Sequence, residues 1–142
     1  MIEVHYFQPP QFARKEYLNQ ASKIVFALLR RLKPKAEEPI LICRSYLFDQ
    51  AVSNMKHTYG ANRIQRVVVQ GEPQRLTETA YLDELRNLGY EPLKNRETRR
   101  AKSFFHMLHW LKRNPKKVKY AKTGWPRLAR YPVFRALISE SK

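Results

Sequence analysis

Hydrophobic and polar positions follow two different periods along the first two thirds of the chain. Short runs rich in apolar or β-branched residues predict strands. These predicted strands are Ile2–Phe7, Pro39–Cys43, Arg63–Val69 and, briefly, Tyr90–Leu93. Segments with apolar residues three or four positions apart predict helices. The predicted helices are Gln11–Leu32, a segment that Ser45 caps and that ends near Gly60, Thr77–Leu88, Arg96–Arg113 and a short one at Pro132–Ile138.

The regular alternation of strand and helix favours a mostly parallel sheet covered by helices. Pro39–Cys43 is continuously apolar, which is typical of a strand buried on both faces. The sequence therefore predicts a small α/β fold of three layers, Rossmann-like, with three or four strands. We expect residues 1–93 to form this core domain and residues 94–142 to add a basic C-terminal helix and an extended tail.

Positive charge is concentrated in the C-terminal third of the chain. The chain has a formal net charge of +16, and the residues from Pro92 onward hold 15 Lys and Arg against only two acids, Glu97 and Glu140. Such an excess of charge destabilises a compact monomer through self-repulsion unless a polyanion or an acidic partner neutralises it. Nucleic acid is the commonest partner of this kind, and the basic residues alternate with aromatic residues on which bases can stack.

The fourth predicted helix carries the first part of a candidate nucleic-acid site. Successive residues at 100° intervals place its apolar residues on one arc, which comprises Ala101, Phe104, Phe105, Leu108 and Leu111. The opposite side is basic, and Trp110 lies beside it. Cations there would contact phosphates while the indole stacks on a base or sugar. The predicted contacts on and next to this helix are Arg96, Arg99, Lys102, His106, His109, Trp110 and Arg113.

The tail repeats this combination of cations and aromatic rings in an extended form. It would lie along a groove of folded RNA or along a DNA backbone and become ordered on binding. The predicted contacts in the tail are Lys116, Lys117, Lys119, Lys122, Trp125, Arg127, Arg130 and Arg135. The chain has no standard groove-reading motif, so structured RNA is favoured over DNA. The sequence thus predicts a non-catalytic nucleic-acid-binding protein, with structured RNA favoured over DNA, that belongs to a larger ribonucleoprotein.

Two other functions fit the same composition. A small nuclease would use Asp83, Glu84 or Glu91 with a divalent metal, although their spacing matches no recognisable nuclease motif. An adaptor would dock its basic extension on an acidic protein. Separating these alternatives requires a cleavage assay and a binding assay.

Other chemistry has little support in the sequence. Arg44 and Ser45 follow a predicted strand at a helix N-terminus and form a possible phosphate site. His106 and His109 are one helical turn apart, but a zinc site needs a third ligand and usually a fourth. No Gly-rich phosphate loop follows the first predicted strand. We therefore predict neither a resident metal nor a cofactor, and no catalytic residue is assigned.

The single cysteine indicates the redox environment of the protein. Cys43 excludes an internal disulfide and lies in an apolar run, which indicates a buried, inert thiol. No apolar run approaches the roughly 18–20 residues that a bilayer span requires, and the N-terminus does not resemble a secretory signal. We expect an intracellular protein in a reducing compartment, most simply the cytoplasm, with no membrane partner.

Overall fold

The computed structural model describes residues 2–94, 96 and 98–139, the last four of them by their backbone alone. The chain divides into two compact units, Met1–Val69 and Gln70–Lys142. Each unit has its own cluster of buried apolar side chains. The domain boundary predicted at residue 93 lies within the second unit and stays a prediction.

The first unit is built in the order helix, strand, helix, strand. Its elements are α1 (Glu16–Leu32), β1 (Ile40–Cys43), α2 (Asp49–Tyr59) and β2 (Ile64–Val67). The two strands pair in parallel, with Ile40 opposite Ile64 and Cys43 opposite Val67. The four predictions that correspond to these elements are confirmed, although α1 begins five residues later than predicted.

Both helices of this unit pack on the same face of the sheet. Met55 of α2 has 0% of its surface exposed and joins Leu29 of α1 with the strand residues Ile40, Ile42 and Ile64. The other side of β1 is open, because Leu41 is 60% exposed and Cys43 is half-buried. The expectation that β1 is buried on both faces is therefore wrong.

The predicted first strand is a 3-10 turn, Val4–Phe7. The amide of Tyr6 donates to the carbonyl of Glu3, a local bond that replaces a pairing with another strand. Phe7 is buried and its ring stacks on Tyr17 of α1 with 5.2 Å between the ring centroids. The alternating pattern of this segment thus reflects one buried ring rather than a sheet face.

The second unit contains helices and no strand in the part of it that the structure describes. Its helices are α3 (Glu72–Asn87), α4 (Arg100–Arg113) and α5 (Pro132–Ser139). Two 3-10 turns, Pro115–Tyr120 and Pro126–Arg130, connect α4 to α5. All three helices match predicted ones, but α3 begins earlier than predicted and α4 later.

The expected extended tail is wrong, because the chain folds back on α4. Val118 and Phe134 are buried with Leu108 and Leu111 in the core of the second unit. Each 3-10 turn has a proline in its first turn, where the missing amide is harmless. The basic residues of the tail are therefore displayed on a folded surface.

The predicted Rossmann-like fold of three layers and three or four strands is also wrong. The described chain is mostly helical, and its sheet has only two strands. Tyr90–Leu93 forms no strand, because Tyr90 is buried against α4 and Pro92 lacks the amide that a ladder needs. The first unit is a single strand–helix–strand crossover with one extra helix.

The core of the first unit can be tested with one pair of substitutions. Met55→Ala removes a fully buried side chain and should lower the free energy of unfolding by about 2–5 kcal/mol, since it leaves a cavity. Leu32→Ala is the matched control, because Leu32 is 74% exposed at the end of α1. Its expected change is within about 0.5 kcal/mol. Urea unfolding followed by circular dichroism measures both; equal losses would contradict this packing.

Candidate nucleic-acid interface

The outer face of α4 carries cations around an exposed aromatic ring. Leu108 and Leu111 are buried in the core, and one side of the helix faces solvent. Phe105 lies on that side and is 56% exposed. Its exposed neighbours at helical spacing are Ala101, Lys102, His109, Lys112 and Arg113. We call Lys102, Phe105, His109, Lys112 and Arg113 the outer face of α4.

The aromatic residue on this face is Phe105 and not Trp110. Trp110 is half-buried, its indole Nε1 donates to the carbonyl of Gly89 at 3.1 Å, and its ring centroid is 5.3 Å from that of Tyr90. Gly89 has a φ of +87°, a left-handed conformation in which glycine carries no steric penalty. The turn after α3 thus presents the carbonyl that holds Trp110 against the body of the unit. Whether the indole also contacts a ligand stays a prediction.

His106 is also tied to the body of the second unit. Its Nδ1 lies 2.9 Å from the hydroxyl of Tyr90, which is buried. Burial raises the pKa of the Tyr90 hydroxyl above its ordinary value, and the charge of Arg96 opposes this rise only in part. The neutral hydroxyl therefore persists and keeps the imidazole in place. Both histidines are exposed, but His106 is bonded to Tyr90, whereas His109 lies on the outer face of α4.

The cations at the N-terminal end of α4 and just before it take up two different environments. The guanidinium of Arg96 lies 4.7 Å from the centroid of the Tyr81 ring, a cation–π distance. Arg99 is exposed, and its carbonyl accepts the amide of Ser103 in the first turn of α4. Arg100 begins the helix and is exposed as well. Of these three cations, Arg96 is thus the one whose guanidinium lies over an aromatic ring.

The tail residues form a folded basic surface next to α4. The ammonium groups of Lys117 and Lys119 lie 5.8 and 5.1 Å from the centroid of the Tyr120 ring. Arg130 packs 4.8 Å from the Tyr131 ring and donates to its hydroxyl at 2.8 Å. The other predicted tail contacts are all exposed, namely Lys116, Lys122, Trp125, Arg127 and Arg135.

Lys122 is exposed as a residue but lies beside an apolar cavity. The cavity has a volume of about 280 Å³ and is lined mainly by apolar side chains such as Leu128 and Phe134. Partial removal from water lowers the pKa of the Lys122 ammonium. Its charge is therefore less well hydrated than that of a fully solvated lysine.

Three described carboxylates of the second unit form ion pairs with arginines of the same unit. Arg86 contacts Asp83 at 3.1 Å and Glu91 at 3.4 Å, and Arg75 pairs with Glu72. Among the described residues no group of three or more His, Cys, Asp and Glu side chains is placed to hold a metal ion. Two of the three carboxylates that a nuclease would use, Asp83 and Glu91, thus contact the guanidinium of Arg86.

The exposed cations of α4 and its N-terminal flank have no such carboxylate partner among the described residues. These cations are Arg99, Arg100, Lys102, Lys112 and Arg113. They are therefore available to an external anion.

Residues at the possible phosphate site in the first unit are engaged in hydrogen bonds and an ion pair within that unit. The Ser45 hydroxyl accepts the amide of Leu47 at 3.4 Å and so caps a 3-10 turn, Tyr46–Phe48, that leads into α2. The first residue of α2, Asp49, binds the guanidinium of Arg66 at 2.6 Å. Arg44 donates to the carbonyl of Arg66. A carboxylate at this helix N-terminus repels a phosphate, so the geometry favours a structural role for these residues.

Comparison with known proteins adds no functional information. No protein-family model, no curated protein and no solved structure matches the chain. In the described ranges, no helix combines the length and the hydrophobicity needed to cross a bilayer.

The structural role of Trp110 can be separated from a role in binding. Trp110→Phe keeps an aromatic ring but removes the indole donor to Gly89, which should lower the free energy of unfolding by about 1 kcal/mol. Affinity for single-stranded RNA should stay within twofold of that of the unchanged protein. Urea unfolding and fluorescence anisotropy measure the two effects. Weaker RNA binding at unchanged stability would instead assign the indole to the ligand.

Proposed function

We propose that the protein binds nucleic acid without catalysis, with structured RNA favoured over DNA, as one component of a larger ribonucleoprotein. The supporting observation is the outer face of α4, where cations that pair with no described carboxylate surround the exposed ring of Phe105. Ammonium and guanidinium groups contact phosphates, and an exposed ring provides a platform for an unpaired base.

The exposed rings are the reason for favouring RNA. Proteins recognise RNA mostly at loops, bulges and ends, where unpaired bases are free to stack on aromatic side chains. Phe105 and Tyr120 are exposed beside cations of the same unit. A regular duplex keeps its bases stacked inside and offers such rings no partner. The proposal thus expects binding to hairpin loops or single strands to exceed binding to a blunt duplex.

The ribonucleoprotein part of the proposal follows from charge. The residues from Pro92 onward carry an excess of 13 positive charges, which repel one another in the free protein. Polyanionic surroundings relieve that repulsion. A particle rich in RNA supplies them continuously, whereas a transient substrate does so only while it is bound.

The cations of the outer face of α4 are tested as a group. Replacing Lys102, Lys112 and Arg113 together by Gln should weaken binding of a single-stranded RNA. It should also make the slope of log K against log salt less negative by roughly 2, since three phosphate contacts are lost. The matched control replaces Lys23, Arg31 and Lys56, exposed helical cations of the first unit, by Gln. Anisotropy titrations over a salt series measure the slopes.

The outcomes of this experiment are distinct. Equal slopes for the two triple variants would show that net charge alone attracts the RNA and would contradict the assigned surface. If neither the variants nor the unchanged protein bind RNA, an acidic protein becomes the better candidate for the partner. RNA cleavage in Mg²⁺ that EDTA abolishes would make the protein a nuclease.

The ring of Phe105 is tested separately from the charges. Phe105→Leu keeps an apolar residue on α4 but removes the stacking platform, which should cost about 1–3 kcal/mol of binding to single-stranded RNA. The salt slope should not change, because no phosphate contact is lost. Stability should change little, since the side chain is more than half exposed. A changed slope at unchanged affinity would contradict the stacking role.

A further inference from the structure

The second unit has a groove between α3 and α4 that the outer face of α4 does not use. Its volume is about 520 Å³, which falls within the range of roughly 300–1,000 Å³ typical of small-ligand sites. Leu85 of α3 and Met107 of α4 contribute apolar walls, and Pro92 and Leu93 line it from the connecting segment. The groove is thus formed inside one unit of the chain.

Two aromatic rings line this groove and are partly open to solvent. Tyr81 of α3 is 43% exposed and Phe104 of α4 is 37% exposed. An exposed ring leaves apolar surface in contact with water, which is unfavourable in free energy. A ligand that packs on the ring would remove that contact. The groove therefore suits a ligand with a flat apolar portion.

Two guanidinium groups give the groove a positive charge. Arg96 and Arg100 both line it, and no ion pair with a carboxylate reaches either of them among the described residues. Arg96 packs on the Tyr81 ring, which holds its planar fork beside the aromatic wall. Guanidinium groups bind phosphate through two parallel hydrogen bonds, so the pair suits an anionic group of that shape.

Hydrogen-bond acceptors line the groove as well. The Glu78 carboxylate accepts the side-chain amide of Gln74 at 2.8 Å, and both residues line the groove on the α3 side. A carboxylate disfavours a purely anionic ligand but accepts bonds from the exocyclic amino group of a base. Aromatic walls, cations and an acceptor are the three features that a nucleotide requires together.

We propose that this groove binds a single nucleotide, with the base against Tyr81 and Phe104 and the phosphate on Arg96 and Arg100. The inference rests on the function proposed above and adds a second contact to it. The nucleotide has two possible sources, an unpaired position within an RNA strand or a free nucleoside monophosphate. Both present the same base and phosphate, so the experiment has one arm for each.

The first measurement needs no variant. Two fluorescent probes are titrated with the full chain: aminopurine ribonucleoside monophosphate, and a short single-stranded RNA that contains one aminopurine. Stacking on a ring changes the emission of aminopurine, so a saturable change with both probes is expected for an RNA-derived nucleotide. A change with the monophosphate but no RNA binding would assign the groove to a free nucleotide and would overturn the function proposed above.

Variants then locate the signal. Tyr81→Leu should weaken binding of the monophosphate roughly 5- to 150-fold, the loss expected for one base–aromatic stack. Arg100→Gln should weaken binding of the monophosphate as well. Raising the salt concentration should not restore that binding. Lys112→Gln is the matched control, because Lys112 is exposed on the same helix but does not line the groove. It should weaken RNA binding and leave the monophosphate unaffected.

Failure of this inference is distinguishable from failure of the proposed function. If aminopurine emission is unchanged with both probes while anisotropy still reports RNA binding, the groove is not a nucleotide site and RNA binds the outer face of α4 alone. If Tyr81→Leu and Arg100→Gln bind the monophosphate as tightly as the unchanged protein, the site lies elsewhere. Thermal unfolding of each variant confirms that it is folded.

Discussion

The second unit must hold a large positive charge around a small apolar core. The buried members of that core are Leu108, Leu111, Val118 and Phe134. Part of the charge is accommodated by rings, since Arg96 packs on Tyr81 and Arg130 on Tyr131. Each contact of this kind is worth about 0.5–1 kcal/mol at an exposed site. The aromatic residues of this unit therefore contribute to its fold, and the proposed function uses those that remain exposed.

The pattern of apolar residues located five helices and two strands, because these segments repeat their period over enough residues or are continuously apolar. It failed at Ile2–Phe7 and Tyr90–Leu93. A short strand exists only where a neighbour supplies backbone partners, and a local pattern carries no information about that neighbour. In both segments one ring, Phe7 or Tyr90, is buried against a helix of its own unit. The sequence shows that the ring is apolar but not what covers it.

The basic face of α4 was predictable, and its aromatic member was not. Positions at 100° intervals group Lys102, His109 and Arg113 correctly, but they do not show where the buried arc is centred. That centre depends on the turn after α3, where a left-handed Gly89 presents its carbonyl to Trp110. The groove between α3 and α4 could not be predicted from the sequence either, since Tyr81 and Phe104 are far apart in the chain.

None of the residues of α3, all of which the structure describes, is buried. A helix held only by half-buried side chains opens locally at a small fraction of the free energy of global unfolding. Its backbone amides should therefore exchange with deuterium sooner than those of α1, which contributes Leu29 to a closed core. A molecule seated against Tyr81 would supply the missing packing, so the order of α3 and the occupancy of the groove would rise together. The bound ligand would thus complete the hydrophobic core of the second unit after the chain has folded.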